Sequence, residues 1–152
     1  KVMEDRNVIV HATRVHHGPE VKDAYAYRFD IKSSGKSVAF SGDTVPDNQL
    51  VRLAKDVDLL VHEAQMNSNI PAVIKGFAPS VRGPLEKHLY NSHTNVRAIP
   101  RIAKEAGAKR VSMCHYVLAK PEAFLAVAKS AAAQIGYTGE ILAPVELDQI
   151  VL

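Results

Sequence analysis

Cysteine is nearly absent from the 152 residues, since Cys114 stands alone. A single thiol excludes an internal disulfide, so nothing marks the chain as secreted. No apolar run approaches the ~18 residues that a membrane-spanning helix needs, and no signal-peptide pattern opens the chain. These absences place the expected location in the cytoplasm, away from any membrane. Neither sign of charge dominates, because 19 Lys+Arg against 16 Asp+Glu leave +3. That mild basic excess suits anionic substrates and falls short of marking a nucleic-acid binder. Repeats, low-complexity tracts and Pro/Gly/Ser linkers are missing too, so 1–152 reads as one compact unit. With 47% apolar residues it has the material of an ordinary core.

What is present alternates between strand and helix patterns. "NVIVHATRV" (7–15) and "AYAYRFDI" (24–31) are β-branched and aromatic runs separated by "HHGPEVKD", which predicts two strands and a loop. "SSGK" is a turn signal, pairing the second strand with "SVAFS" (37–41) as a hairpin. "DNQLVRLAKD" reads as a short helix and "VDLLVHEA" (57–64) as a strand. Val96, Ile99, Ile102, Ala103 and Ala106 fall at helical spacing, with Gly107 as the stop and Pro100 as either a kink or a first-turn residue. "RVSMCHY" is the next strand, and Pro121 opens a helix that Gly136 closes. "EILAP" and "DQIVL" read as short closing strands. The expected class is α/β, with a mixed sheet flanked by helices.

Polar residues collect where strands end. His17 follows the first strand, Asp43 terminates the "VAFSGDT" strand, and His115 closes "RVSMCHY". Ligands gather beyond the carboxyl ends of strands in open α/β sheets, so these three can meet in space. Imidazole and carboxylate are zinc donors, with iron and manganese as alternatives. Each residue also has a plain reading. Asp43 could cap a helix or shape a turn, His17 could be a solvated loop residue, and His115 a satisfied core histidine. His93 in "NSHT" could simply precede a helix cap. Glu63, near the end of an apolar strand, needs a partner for its charge.

The succession "HHGPEVKDAYAYRF", "VAFSGDT", "DLLVHEAQM", "SHT" and "RVSMCHY" resembles the metallo-β-lactamase superfamily over residues 8–120, in particular the C-terminal half of its ribonuclease Z-like branch. The resemblance implies an αββα sandwich of two mixed sheets, of which 1–152 supplies the C-terminal half. It implies a hydrolase with two zinc ions per complete site. His17 and His115 match ligands of the first and second metal, and Asp43 the carboxylate that bridges them. His93 matches the histidine that protonates or stabilises the reacting group, and Glu63 a residue that orients such a histidine.

The superfamily's H-x-H-x-D-H motif has no counterpart here, and no H-x-H occurs anywhere in the chain. His17, Asp43 and His115 alone fall short of the four-coordinate sites zinc prefers. The chain is therefore expected to partner a missing N-terminal half that carries the motif, and its opening on Lys1 fits a cleaved or excerpted chain. Half a sandwich would bare an apolar sheet face, so self-association into a homo-oligomer is expected otherwise. The short connection "DIKSSGKS" leaves no room for the tRNA-gripping arm that the branch usually inserts there. In its place, 66–91 is long and partly apolar, which reads as a packed helical excursion or a lid over a small organic substrate. A lactam, lactone or ester is the first expectation for the substrate, and RNA the alternative. A scaffold that has lost its metal motif is the rival of another class.

Overall fold

The computed structural model describes all 152 residues, Lys1–Leu152. Seven strands form one sheet in sequence order: β1 (Met3–Glu4), β2 (Val8–His17), β3 (Val21–Ile31), β4 (Lys36–Phe40), β5 (Leu59–Gln65), β6 (Arg110–Val117) and β7 (Glu140–Leu142). β1 to β4 pair antiparallel, and β4 to β7 pair parallel. Short turns suffice for the first kind of pairing, whereas the second needs crossovers, and these carry the helices. α1 (Asn48–Leu53) leads from β4 to β5. α2 (Ile70–Ile74), α3 (Pro79–Ser92) and α4 (Ile99–Ala106) lie between β5 and β6, and α5 (Pro121–Ile135) between β6 and β7.

Helix ends fall on the expected punctuation. Pro100 and Pro121 sit in the first turns of α4 and α5, so Pro100 starts its helix and does not kink it. Two expectations fail. Segment 148–152 forms no strand: it lies mostly exposed, tied to β6 by the Arg110 guanidinium donating to the Val151 carbonyl at 2.7 Å. The loop expected at 16–23 shrinks to 18–20, because β2 and β3 stay paired as far as His17 and Val21.

One face of the sheet carries the core. Leu50 of α1, Ile102 and Ala103 of α4, and Phe124 and Ala128 of α5 join Ala26, Ala39, Leu60, Val111 and Met113 in one buried cluster. Each large apolar side chain buried there stabilises the fold by about 1.5–3 kcal/mol. The opposite face is different. Tyr25, Tyr27 and Phe29 alternate onto it, with Phe40 beside Tyr27 and Val38 beside Phe29. Tyr27 and Phe40 remain 41% and 42% exposed, a wide aromatic surface for water to cover. In sedimentation over a concentration series, the 152 residues alone are expected to self-associate through this face. A monodisperse monomer throughout would contradict that. No helix is long and apolar enough to cross a membrane.

Candidate metal centre

The strand ends deliver their polar residues to one place. Asp43 follows β4 through Gly42, whose φ of +60° and close approach to the Tyr25 carbonyl oxygen, 2.5 Å from where a Cβ would stand, leave glycine as the unstrained choice. The cap of α1 is Asp47, whose carboxylate accepts from the Gln49 N–H at 2.7 Å and the His16 N–H at 3.1 Å. Asp43 is thereby free of the capping role that its position allowed.

His17 and His115 both sit at irregularities in their ladders. The β2–β3 register shifts between Val15 and His17. The β5–β6 register shifts after Glu63, leaving His115 as the unpaired residue between Cys114 and Tyr116. His115 has a φ of 44°, in the left-handed region that a non-glycine residue visits at a cost. A bulge re-aims a side chain in this way, and the His115 Nε2 lies 3.4 Å from the Asp43 Oδ2.

His17 is fixed by the other side of the site. Its Nδ1 donates to the Ser92 carbonyl at 2.7 Å, which leaves Nε2 as the unprotonated nitrogen able to bind a cation. Gly18, with φ of +66°, brings the turn after β2 so near that a Cβ would collide with the Ser92 hydroxyl. The next residue, His93, places its ring 5.0 Å from that of His17 and 5.6 Å from that of His115. Donor atoms of His17, Asp43 and His93 all lie within 4.8 Å of one another. Two imidazoles and a carboxylate at that spacing fit a divalent cation.

Behind them lies Glu63, which is 1% exposed. Its Oε1 accepts from the Thr44 N–H at 3.2 Å and the Thr94 N–H at 2.8 Å. These are the residues immediately after Asp43 and His93, so one oxygen pins both loops. Thr94 Oγ1 donates to the Thr44 carbonyl at 2.6 Å and ties the loops directly. The same Oε1 is 3.3 Å from His93 Nδ1, too poorly aligned for a formed hydrogen bond. Even so, the Glu63 carboxylate, with Asp43 adding, holds the His93 pKa above its ordinary value against the opposing effect of burial. Cys114 behaves oppositely. Burial first, then the Glu63 and Asp43 charges, push its thiol up to about 11, so it stays protonated near neutral pH and is no nucleophile.

No family model matches the chain. Ribonuclease BN of Cronobacter sakazakii is 35% identical over 82 residues, covering 54% of this chain and 22% of its own length. Ribonuclease Z of Myxococcus xanthus is 35% identical over 81 residues, covering 53% of this chain and 22% of its own length. Over about half of its length the chain is similar to the ribonuclease Z-like branch of the metallo-β-lactamase superfamily. It spans about a fifth of the length of these relatives. Solved structures agree on the fold. A metallo-β-lactamase fold protein from Bacillus subtilis superposes with a TM-score of 0.64 at 20% identity, over 92% of this chain and 48% of that one. The short form of human tRNase Z gives 0.54 at 21% identity, over 76% and 39%.

On this metallo-β-lactamase fold the segment 66–91 is helical and largely uncovered. Phe77, Val81 and Tyr90 are exposed while Met66, Ile70 and Leu89 are buried, so the excursion is packed at its two ends and open between them. Its buried residues are Met66 and Ile70 at the start and Leu89 in the last turn of α3, where Ser92 follows. The sequence singles out His88, with Lys75, Arg82 and Lys87, as room for an anionic group, but Ser92 and Gln65 went unmarked as part of the site. Gln65 is fully buried and donates to the Leu89 carbonyl at 2.7 Å, anchoring the turn to β5. A buried glutamine directly after "HEA" was the one available signal.

Proposed function

We propose that the chain forms part of a metal-dependent phosphodiesterase acting on RNA, with two zinc ions in its complete site. The observation that carries this reading is the approach of His17, Asp43 and His93 to within 4.8 Å. The relatives named for ribonuclease Z and BN favour a phosphodiester over the lactam, lactone or ester expected first. His17 through Nε2, Asp43 and His115 would hold the metal, with the remaining ligands coming from the N-terminal part. When bound, zinc supplies a water of lowered pKa and a positive clamp on phosphate oxygens.

The chain's own residues do the rest. Asp43 stays still because its strand end, Gly42 and the Thr44–Glu63 bond fix it on both sides. Glu63 raises the affinity of His93 for a proton. As a water oxygen bonds to phosphorus and the ester P–O bond breaks, His93 Nε2 donates a proton to the departing ribose oxygen, with Glu63 lying behind Nδ1. A small organic substrate keeps one supporting feature, the exposed apolar side chains Phe77, Val81 and Tyr90 on the segment that leads into His93.

The test uses the complete protein. Asp43→Ala is expected to lose bound zinc, read by elemental analysis, and RNA cleavage with it, while its circular dichroism is unchanged. Retained zinc would sink the assignment. Affinity for RNA should also fall steeply with salt, by a log–log slope of roughly 0.7 per phosphate contact. A flat response would return the case to a neutral small molecule.

A further inference from the structure

A fourth imidazole borders the site, and neither metal binding nor proton donation uses it. His88 stands one helical turn before Ser92 on α3. Its ring centroid lies 6.2 Å from that of His17 and 6.1 Å from that of His93, at interplanar angles of 79° and 87°. With the 5.0 Å between His17 and His93, the three rings form a triangle on one side of the site. Packing does not require an imidazole there, because Leu89 and Ser92 make the buried contacts of α3 while the His88 side chain is 39% exposed.

The ring is nevertheless oriented. Its Nδ1 lies 3.2 Å from Ser92 Oγ and 3.5 Å from Glu20 Oε2, in the turn between β2 and β3. Ser92 Oγ is the hydrogen-bond partner of Nδ1 and Glu20 lies near it, so Nδ1 faces the protein and Nε2 is left for a ligand. The pair repeats the layout of Glu63 and His93, a carboxylate behind an imidazole. The difference lies in exposure, since Glu20 is 73% exposed and Glu63 is 1% exposed.

We propose that His88 is a substrate-binding residue, whose Nε2 donates to a non-bridging oxygen of a phosphodiester while Ser92 Oγ holds Nδ1 with Glu20 beside it. An N–H donor at this place favours an anionic diester oxygen over an uncharged substrate. This rests on the phosphodiesterase reading and adds a determinant to it.

The test is calorimetric titration of the complete zinc-loaded protein with dimethyl phosphate, which presents the diester without a good leaving group. His88→Ala is expected to weaken binding about tenfold, the worth of one charge-assisted hydrogen bond. His88→Gln, which keeps a donor, should recover part of the loss, and Glu20→Gln should weaken binding in the same direction but less. Zinc content should stay at the wild-type level in all three. Equal affinity in His88→Ala, no binding of the probe by the wild type, or loss of zinc from His88→Ala would each overturn the proposal. The phosphodiesterase reading fails on a separate measurement, zinc retained by Asp43→Ala, so the two can fall independently.

Discussion

His93→Ala in the complete protein is expected to lower kcat on RNA by about 10²–10⁴, the usual contribution of a positioned general acid. KM and zinc content should stay near their wild-type values. The second half of this result matters most, because His93 belongs to the compact group with His17 and Asp43 and is open to two roles. A ligand lost to alanine takes metal with it. A proton donor lost to alanine leaves the metal in place and removes a step. Two features of the molecule favour the donor. Glu63 sits against His93 Nδ1 and raises the ring's affinity for a proton, which suits a general acid. Asp43 also has His115 on its other side at 3.4 Å, so the carboxylate has imidazoles to share a cation with on both flanks. Elemental analysis beside steady-state kinetics decides it: zinc lost from His93→Ala makes the residue a ligand.

Much of this was legible in the sequence, because strands that end on a carboxylate or an imidazole leave a pattern of period two that stops abruptly. Asp43 after "VAFSG" and His115 at the close of "RVSMCHY" show it. The bulges were not legible. Nothing in "CHY" says that His115 leaves the ladder with φ at 44°, since that shift exists only against the neighbouring strand. The same holds for the register shift before His17. The position of His88 in the site was hidden for another reason. The apolar residues of 66–91 gave no clean helical period, because only the last turn of α3 is buried, and so the face carrying His88 could not be assigned. Glu63 lay in between. Its burial followed from the apolar run around it, but its acceptance of two backbone N–H groups from distant loops follows only from the fold.

That arrangement sets the largest expected effect on stability. Glu63→Ala should destabilise the protein by about 2–6 kcal/mol, because it orphans the Thr44 and Thr94 N–H groups at roughly 1–3 kcal/mol each. Both residues are 0% exposed, so water cannot take the vacated place without opening the site. Glu63→Gln should cost far less. Its amide oxygen can replace Oε1 on both N–H groups, and its NH₂ would occupy the place of Oε2, which already lacks a partner. The two variants part again over pH, read in the metal-free protein. His93 has its folded pKa raised above the ordinary 6.5, with Glu63 as the chief cause. The stability this provides is fully present below 6.5 and is lost as pH rises through the folded value. Urea midpoints of the wild type should therefore fall across that window, while those of Glu63→Gln stay flatter because the charge that holds the proton is gone. Parallel curves for wild type and Glu63→Gln would mean that Glu63 serves the backbone alone and leaves the proton on His93 to other groups.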